Sequence, residues 1–78
     1  MTKKEIIEAI ENGGKLEVCH FIRHIQYSII LNDTSKRITE KQYNMAKQYF
    51  ANRLQHDAIF GGLTRHFYFL KQQQNAAN

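Results

Sequence analysis

Two short boxes, Thr2 with Glu5 and Thr39 with Gln42, constrain this chain more than any other feature. Each fits the pattern in which a Thr hydroxyl accepts from the backbone N–H three residues on, while the side chain there reaches back to the N–H of the Thr. They predict two helix starts. The second is the better supported. Ile38 before the cap and Tyr43 at the fourth helical position form a hydrophobic staple, and Glu40 and Arg53 suit the positive and negative ends of the helix dipole. At about 100° per residue, Tyr43, Ala46, Phe50 and Leu54 line one side, so the spacing predicts a helix from Thr39 to about Gln55. The first box opens a helix over Lys3–Asn12, apolar at Ile6, Ile7, Ala9 and Ile10 and stopped by Gly13-Gly14. Glu8 and Glu11 lie toward its negative end, so packing of its isoleucines must hold it.

Between the boxes, Lys15 to Leu31 (KLEVCHFIRHIQYSIIL) is dense in β-branched and aromatic residues. It reads as two strands, about Leu16–Ile22 and Gln26–Asn32, with Arg23-His24-Ile25 at the turn. The rival is a helix, because Val18, Phe21, Ile22, Ile25 and Ile29 also fit a 3.6-residue period. Asn32 to Ser35 is a turn or loop, and Lys36-Arg37 place two positive charges ahead of the second helix. His56 to Gly62 is expected to be a connection with Ile59 and Phe60 tucked into the core. Leu63 to Lys71 (LTRHFYFLK) favours a third strand with Leu63, Arg65, Phe67 and Phe69 on one face. Residues 72–78 are expected to be a disordered tail. The expectation is therefore one α+β domain over residues 1–71, in the order α-β-β-α-β, with a three-stranded antiparallel sheet and both helices on one face. The alternative is a winged-helix-like arrangement with residues 18–31 helical.

The helix-plus-hairpin ingredients resemble small winged-helix DNA-binding domains, and a third helix at residues 18–31 would strengthen the likeness. Compact chains whose first helix ends at a Gly-Gly pair also resemble small accessory proteins of phages and mobile elements. That resemblance implies an inhibitor or adaptor of a host protein.

A chain of 78 residues with 42% hydrophobic and 12% aromatic content is long enough for one modest core. Its formal charge of +4 is unevenly spread. Residues 1–17 hold four Glu against three Lys, and the remainder holds eight Lys or Arg against Asp33, Glu40 and Asp57. Cys19 is the single cysteine, so no internal disulfide forms, and a reducing cytoplasmic setting is the expectation. No apolar run approaches the ~20 residues that cross a bilayer, so no membrane partner is expected.

Parts for catalysis are few. Cys19 beside His20 suggests a thiolate–imidazole pair, but neighbours on a strand point to opposite faces. His20 and His24 on a strand stand about 13 Å apart, too far to share one ion. The chain is read as a non-enzyme without cofactor or metal. Two binding functions remain. In the first, the protein acts by protein–protein interaction, on a host protein or as a homodimer formed through a sheet edge. Tyr27, Met45, Tyr49 and Tyr68 supply the amphipathic contact residues that interfaces favour. In the second, it is a small DNA-binding regulator. The second helix then presents Asn44, Gln48, Asn52 and Gln55 to base edges, with Lys36, Arg37, Lys41, Lys47 and Arg65 on phosphates. Phe67 and Phe69 are read as core, with Tyr68 half-exposed on the opposite face; an exposed aromatic face would instead stack single-stranded bases.

Overall fold

Both capping boxes close. In the computed structural model, which describes residues 1–71, the Thr2 hydroxyl accepts from the Glu5 N–H at 3.1 Å and the Glu5 carboxylate accepts from the Thr2 N–H at 2.8 Å. Thr39 and Gln42 repeat the arrangement at 3.0 and 2.9 Å. The amide of Gln42 also donates to the Met1 carbonyl, tying the start of one helix to the other. These caps open α1 (Lys3–Glu11) and α2 (Glu40–Phe50).

The remaining elements are β1 (Lys15–His20), β2 (Ile25–Leu31), β3 (Thr34–Ile38), β4 (Leu54–Phe60) and β5 (Thr64–Leu70). They form one antiparallel sheet in the order β3-β2-β1-β5-β4. The class is α+β, but the sheet has five strands where the sequence predicted three. Residues 18–31 are the β1–β2 hairpin, which removes the winged-helix-like alternative. Its turn lacks Gly, Asn or Asp. The Phe21 N–H instead donates to the His24 carbonyl at 2.9 Å while the two rings stack at 4.6 Å.

The two extra strands have separate causes. Asn32-Asp33 is a two-residue hairpin turn with Asn32 at φ 56°, a left-handed conformation that Asn tolerates. A polar stretch, Thr34 to Arg37, follows it and pairs along β2 with no hydrophobic alternation to announce it. The second helix ends at Phe50, short of the predicted Gln55. Ala51 turns the chain at φ 49° and a single 3₁₀ turn over Ala51–Arg53 leads into β4. No Gly or Pro marks that stop.

Alternate residues of β1, β2 and β5 build the core against the helices. Leu16 sits between Ile29 and Tyr68, and Val18 between Tyr27 and His66. Ile6, Ile10, Leu16, Ala46 and Phe50 are almost wholly buried, with Ile29, Ile38 and Tyr43 around them. Tyr43 packs on Tyr27 and edge-on to Tyr68. Burial, reinforced by the neighbouring Tyr68 and Tyr27, pushes the Tyr43 phenol well above its ordinary range. Gly14 allows the closest backbone approach: a Cβ there would lie 2.6 Å from the Ala9 carbonyl oxygen. No helix is long and apolar enough to cross a membrane among the described residues.

Candidate interaction surfaces

The helices leave one end of the sheet uncovered. There the last register row runs Ile25, His20, Thr64, Phe60 across β2, β1, β5 and β4. The β1–β2 and β4–β5 turns project beyond it. Ile22 is 97% exposed, Phe60 74%, Ile59 55% and Ile25 44%. The other large apolar side chains exposed among the described residues are Met1 and Tyr49, so the exposure concentrates at the hairpin tips. Burying such side chains is worth about 1.5–3 kcal/mol each; Ile25 and Phe60 lie on the helix side with His20 and Thr64 between them, and Ile59 lies on the opposite side. The sequence places Ile59 and Phe60 in the core; the structure does not, because Ile59 points to the side of the sheet away from the helices and Phe60 lies on edge strand β4 beyond their reach.

Around this apolar group stand Arg23, His20, His24 and His66. His66 lies at the meeting point of the rings. Its Nδ1 is 2.8 Å from His56 Nε2, with the two ring planes within 17° of each other. That geometry places one shared proton between two imidazoles, the donor being set by the tautomer. His20 approaches His66 edge-on at 5.7 Å and Phe60 does so at 6.2 Å. Among the described residues no three His, Cys, Asp or Glu side chains converge on a point where one ion would sit.

Compared with known protein families, curated proteins and solved structures, the chain matches none.

The residues predicted to touch nucleic acid do not share one surface. Lys41, Asn44 and Gln48 are exposed along α2. Lys47 is drawn over the Tyr68 ring on the helix side of the sheet, with Nζ 4.1 Å from its centroid. Asn52 lies in the 3₁₀ turn and Gln55 in β4, so neither extends the amide face of the helix. Lys36 and Arg37 are neighbours on β3 and point to opposite faces of the sheet. Arg65 is on the face away from the helices, 3.7 Å from Glu17.

Of the residues predicted for protein contact, Tyr27, Met45 and Tyr68 pack partly buried against the core. Tyr49 is 48% exposed. The expected split of the β5 aromatics is reversed: Tyr68 faces the helices and stacks on His56 at 4.8 Å, while Phe67 and Phe69 face away from them. Alternation places Arg65, Phe67 and Phe69 together, and the register agrees; Leu63 lies in the turn before β5. Alternation alone does not say which of the two faces the helices cover. The sequence carries no local signal for the exposure of Ile22 or for the His56–His66 contact. Ile22 sits between Phe21 and Arg23 at a hairpin tip, a place where an apolar residue has no inward direction.

Proposed function

We propose that this protein is a non-enzymatic interaction module that docks a partner protein on the hairpin-tip end of its sheet, in the manner of a small cytoplasmic accessory protein that inhibits or adapts its target. The observation that carries the reading is the exposure of Ile22, Ile25, Ile59 and Phe60 together at one end of the fold. Interfaces are built around such apolar centres with a polar rim. The rim here carries Arg23, His20, His24 and His66, with Glu40 of α2 beside them, so the matching surface is apolar at its centre and polar, with both signs of charge, at its edge. Cys19 and His20 support the non-enzymatic part, since they lie on opposite faces of β1.

Site-specific photo-crosslinking in cells tests the reading. A photoreactive residue at Phe60 or Ile22 is expected to give one discrete heterologous adduct, lost with Ile25→Asp. Equal adducts from a probe at Asn44, on the helix, would overturn it. An adduct with the mass of two copies would replace the partner by a homodimer.

A further inference from the structure

The face of the sheet turned away from the helices carries a different chemistry. No described element crosses it. Its central register row is Arg37, Ser28, Glu17, Phe67, Asp57, and the next is Ser35, Ile30, Lys15, with Phe69 and Gln55 beyond on β5 and β4. Phe67 and Phe69 are two residues apart on β5, so their rings rise from the same face about 7 Å apart at ~3.4 Å per residue. Both are partly exposed. The Lys15 ammonium stands 5.1 Å from the Phe69 ring centroid. Arg65 neighbours Phe67 on the strand, and its contact with Glu17 at 3.7 Å uses one edge of the guanidinium.

We propose that this face binds single-stranded nucleic acid, with Phe67 and Phe69 stacking two successive bases, Lys15 and Arg65 engaging the phosphates beside them, and Arg37, three strands away on β3, a phosphate further along. Three cations stand against Glu17 and Asp57, and Glu17 is already held by Arg65, so the available charge suits a polyanion. Aromatic rings spaced along a sheet and interleaved with basic side chains match the alternation of base and phosphate in an unpaired strand. A five-stranded sheet is too broad for a duplex groove, which admits a helix or a two-stranded ribbon. Ser35 and Gln55 add exposed hydrogen-bonding groups without a bidentate base pattern, so affinity depends little on sequence. Arg65 pairs with Ile59 at the border with the hairpin tips, whereas Phe67 and Phe69 lie further along β5 and their stacking does not depend on the tips.

Fluorescence anisotropy with labelled oligo-uridine, oligo-thymidine and a duplex, each roughly ten nucleotides long, provides the test. Both single strands are expected to bind in the micromolar range at about 50 mM salt. Three phosphate contacts weaken that roughly 20-fold at about 200 mM. Phe67→Leu and Phe69→Leu keep apolar volume but remove the stacking ring. Each is expected to weaken binding about tenfold or more, with the unfolding midpoint little changed. A uridine-only response assigns RNA, and equal responses assign the unpaired strand in general. Binding that ignores both Leu substitutions, a duplex bound as well as the single strands, or no saturable binding at low salt would each overturn the proposal.

Discussion

Strands β2 and β4 are both seven residues long and both lie antiparallel to a neighbour, yet they have opposite fates. β2 is paired on both sides and lies under both helices, so Ile29 is 2% exposed. β4 is an edge strand paired with β5 alone, and Ile59 is 55% exposed. The Lys71 N–H donates to the Arg53 carbonyl at 3.0 Å. Alternation along an antiparallel pair then turns the backbone groups of His56, Ala58 and Phe60 outward. The other edge, β3, is guarded by Lys36 and Arg37, a usual defence against unwanted pairing. β4 has no lysine or proline. The lesson is that an isoleucine in a strand reports burial only when something lies over the face it points to: Ile29 points to the helices and Ile59 to the opposite side. The covered half of the sheet holds the fold together, and the uncovered half is free for contact.

Substitutions can break this contrast. Ile29→Ala removes a buried side chain from β2 and is expected to cost about 2–5 kcal/mol. Ile59→Ala on β4 is expected to stay within about 0.5 kcal/mol. Urea unfolding midpoints compare the two, and equal losses would mean that β4 is covered in solution. The glycines give a smaller version of the same test. Gly14→Ala drives a Cβ onto the Ala9 and Ile30 carbonyl oxygens, at 2.6 and 3.1 Å, in the covered half. Its expected cost is about 1–3 kcal/mol by the same measurement. At Gly61, between β4 and β5, an added Cβ meets nothing within 4 Å, and Gly61→Ala is expected to be close to neutral.

A change in the favourable direction tests the junction between the halves. Ala51 holds φ 49° at the end of α2, where an L side chain is strained. Ala51→Gly is expected to raise the thermal midpoint by relieving up to about 1 kcal/mol. The smallest effect expected is a change in pH slope. The Tyr43 phenol is raised in the folded state, so the native protein keeps this proton longer than the unfolded chain does. Its contribution is therefore full below the unfolded value near 10 and is lost progressively as the pH rises above it. Tyr43→Phe should flatten the alkaline limb of a stability–pH curve. Glu5 acts in the opposite sense. Its carboxylate is held low by the hydrogen bond from the Thr2 backbone N–H and by the Thr2 side chain, so its contribution is lost as the pH falls. Glu5→Gln should flatten the acid limb.

What the amino-acid sequence determined by itself was local. Thr2 with Glu5 and Thr39 with Gln42 wrote both helix starts, Gly13-Gly14 wrote one helix end, and the β-branched run from Lys15 to Leu31 wrote a hairpin. Each signal acts within a few residues, where a side chain satisfies a backbone group or a rotamer restricts a dihedral angle. Tertiary structure decided the rest. Thr34 to Arg37 is a strand because β2 offers it an open edge, and Leu54 to Phe60 because β5 does. Neither carries the alternation that burial of one face would impose. The end of α2 at Ala51 is likewise set by the path into β4, since no helix-stopping residue stands there. Alternation put Phe67 and Phe69 on one face and Tyr68 on the other, but a two-residue period is symmetric between the faces of a sheet. Only the placement of α1 and α2 on the Tyr68 side broke that symmetry, burying one ring in the core and leaving two on the surface.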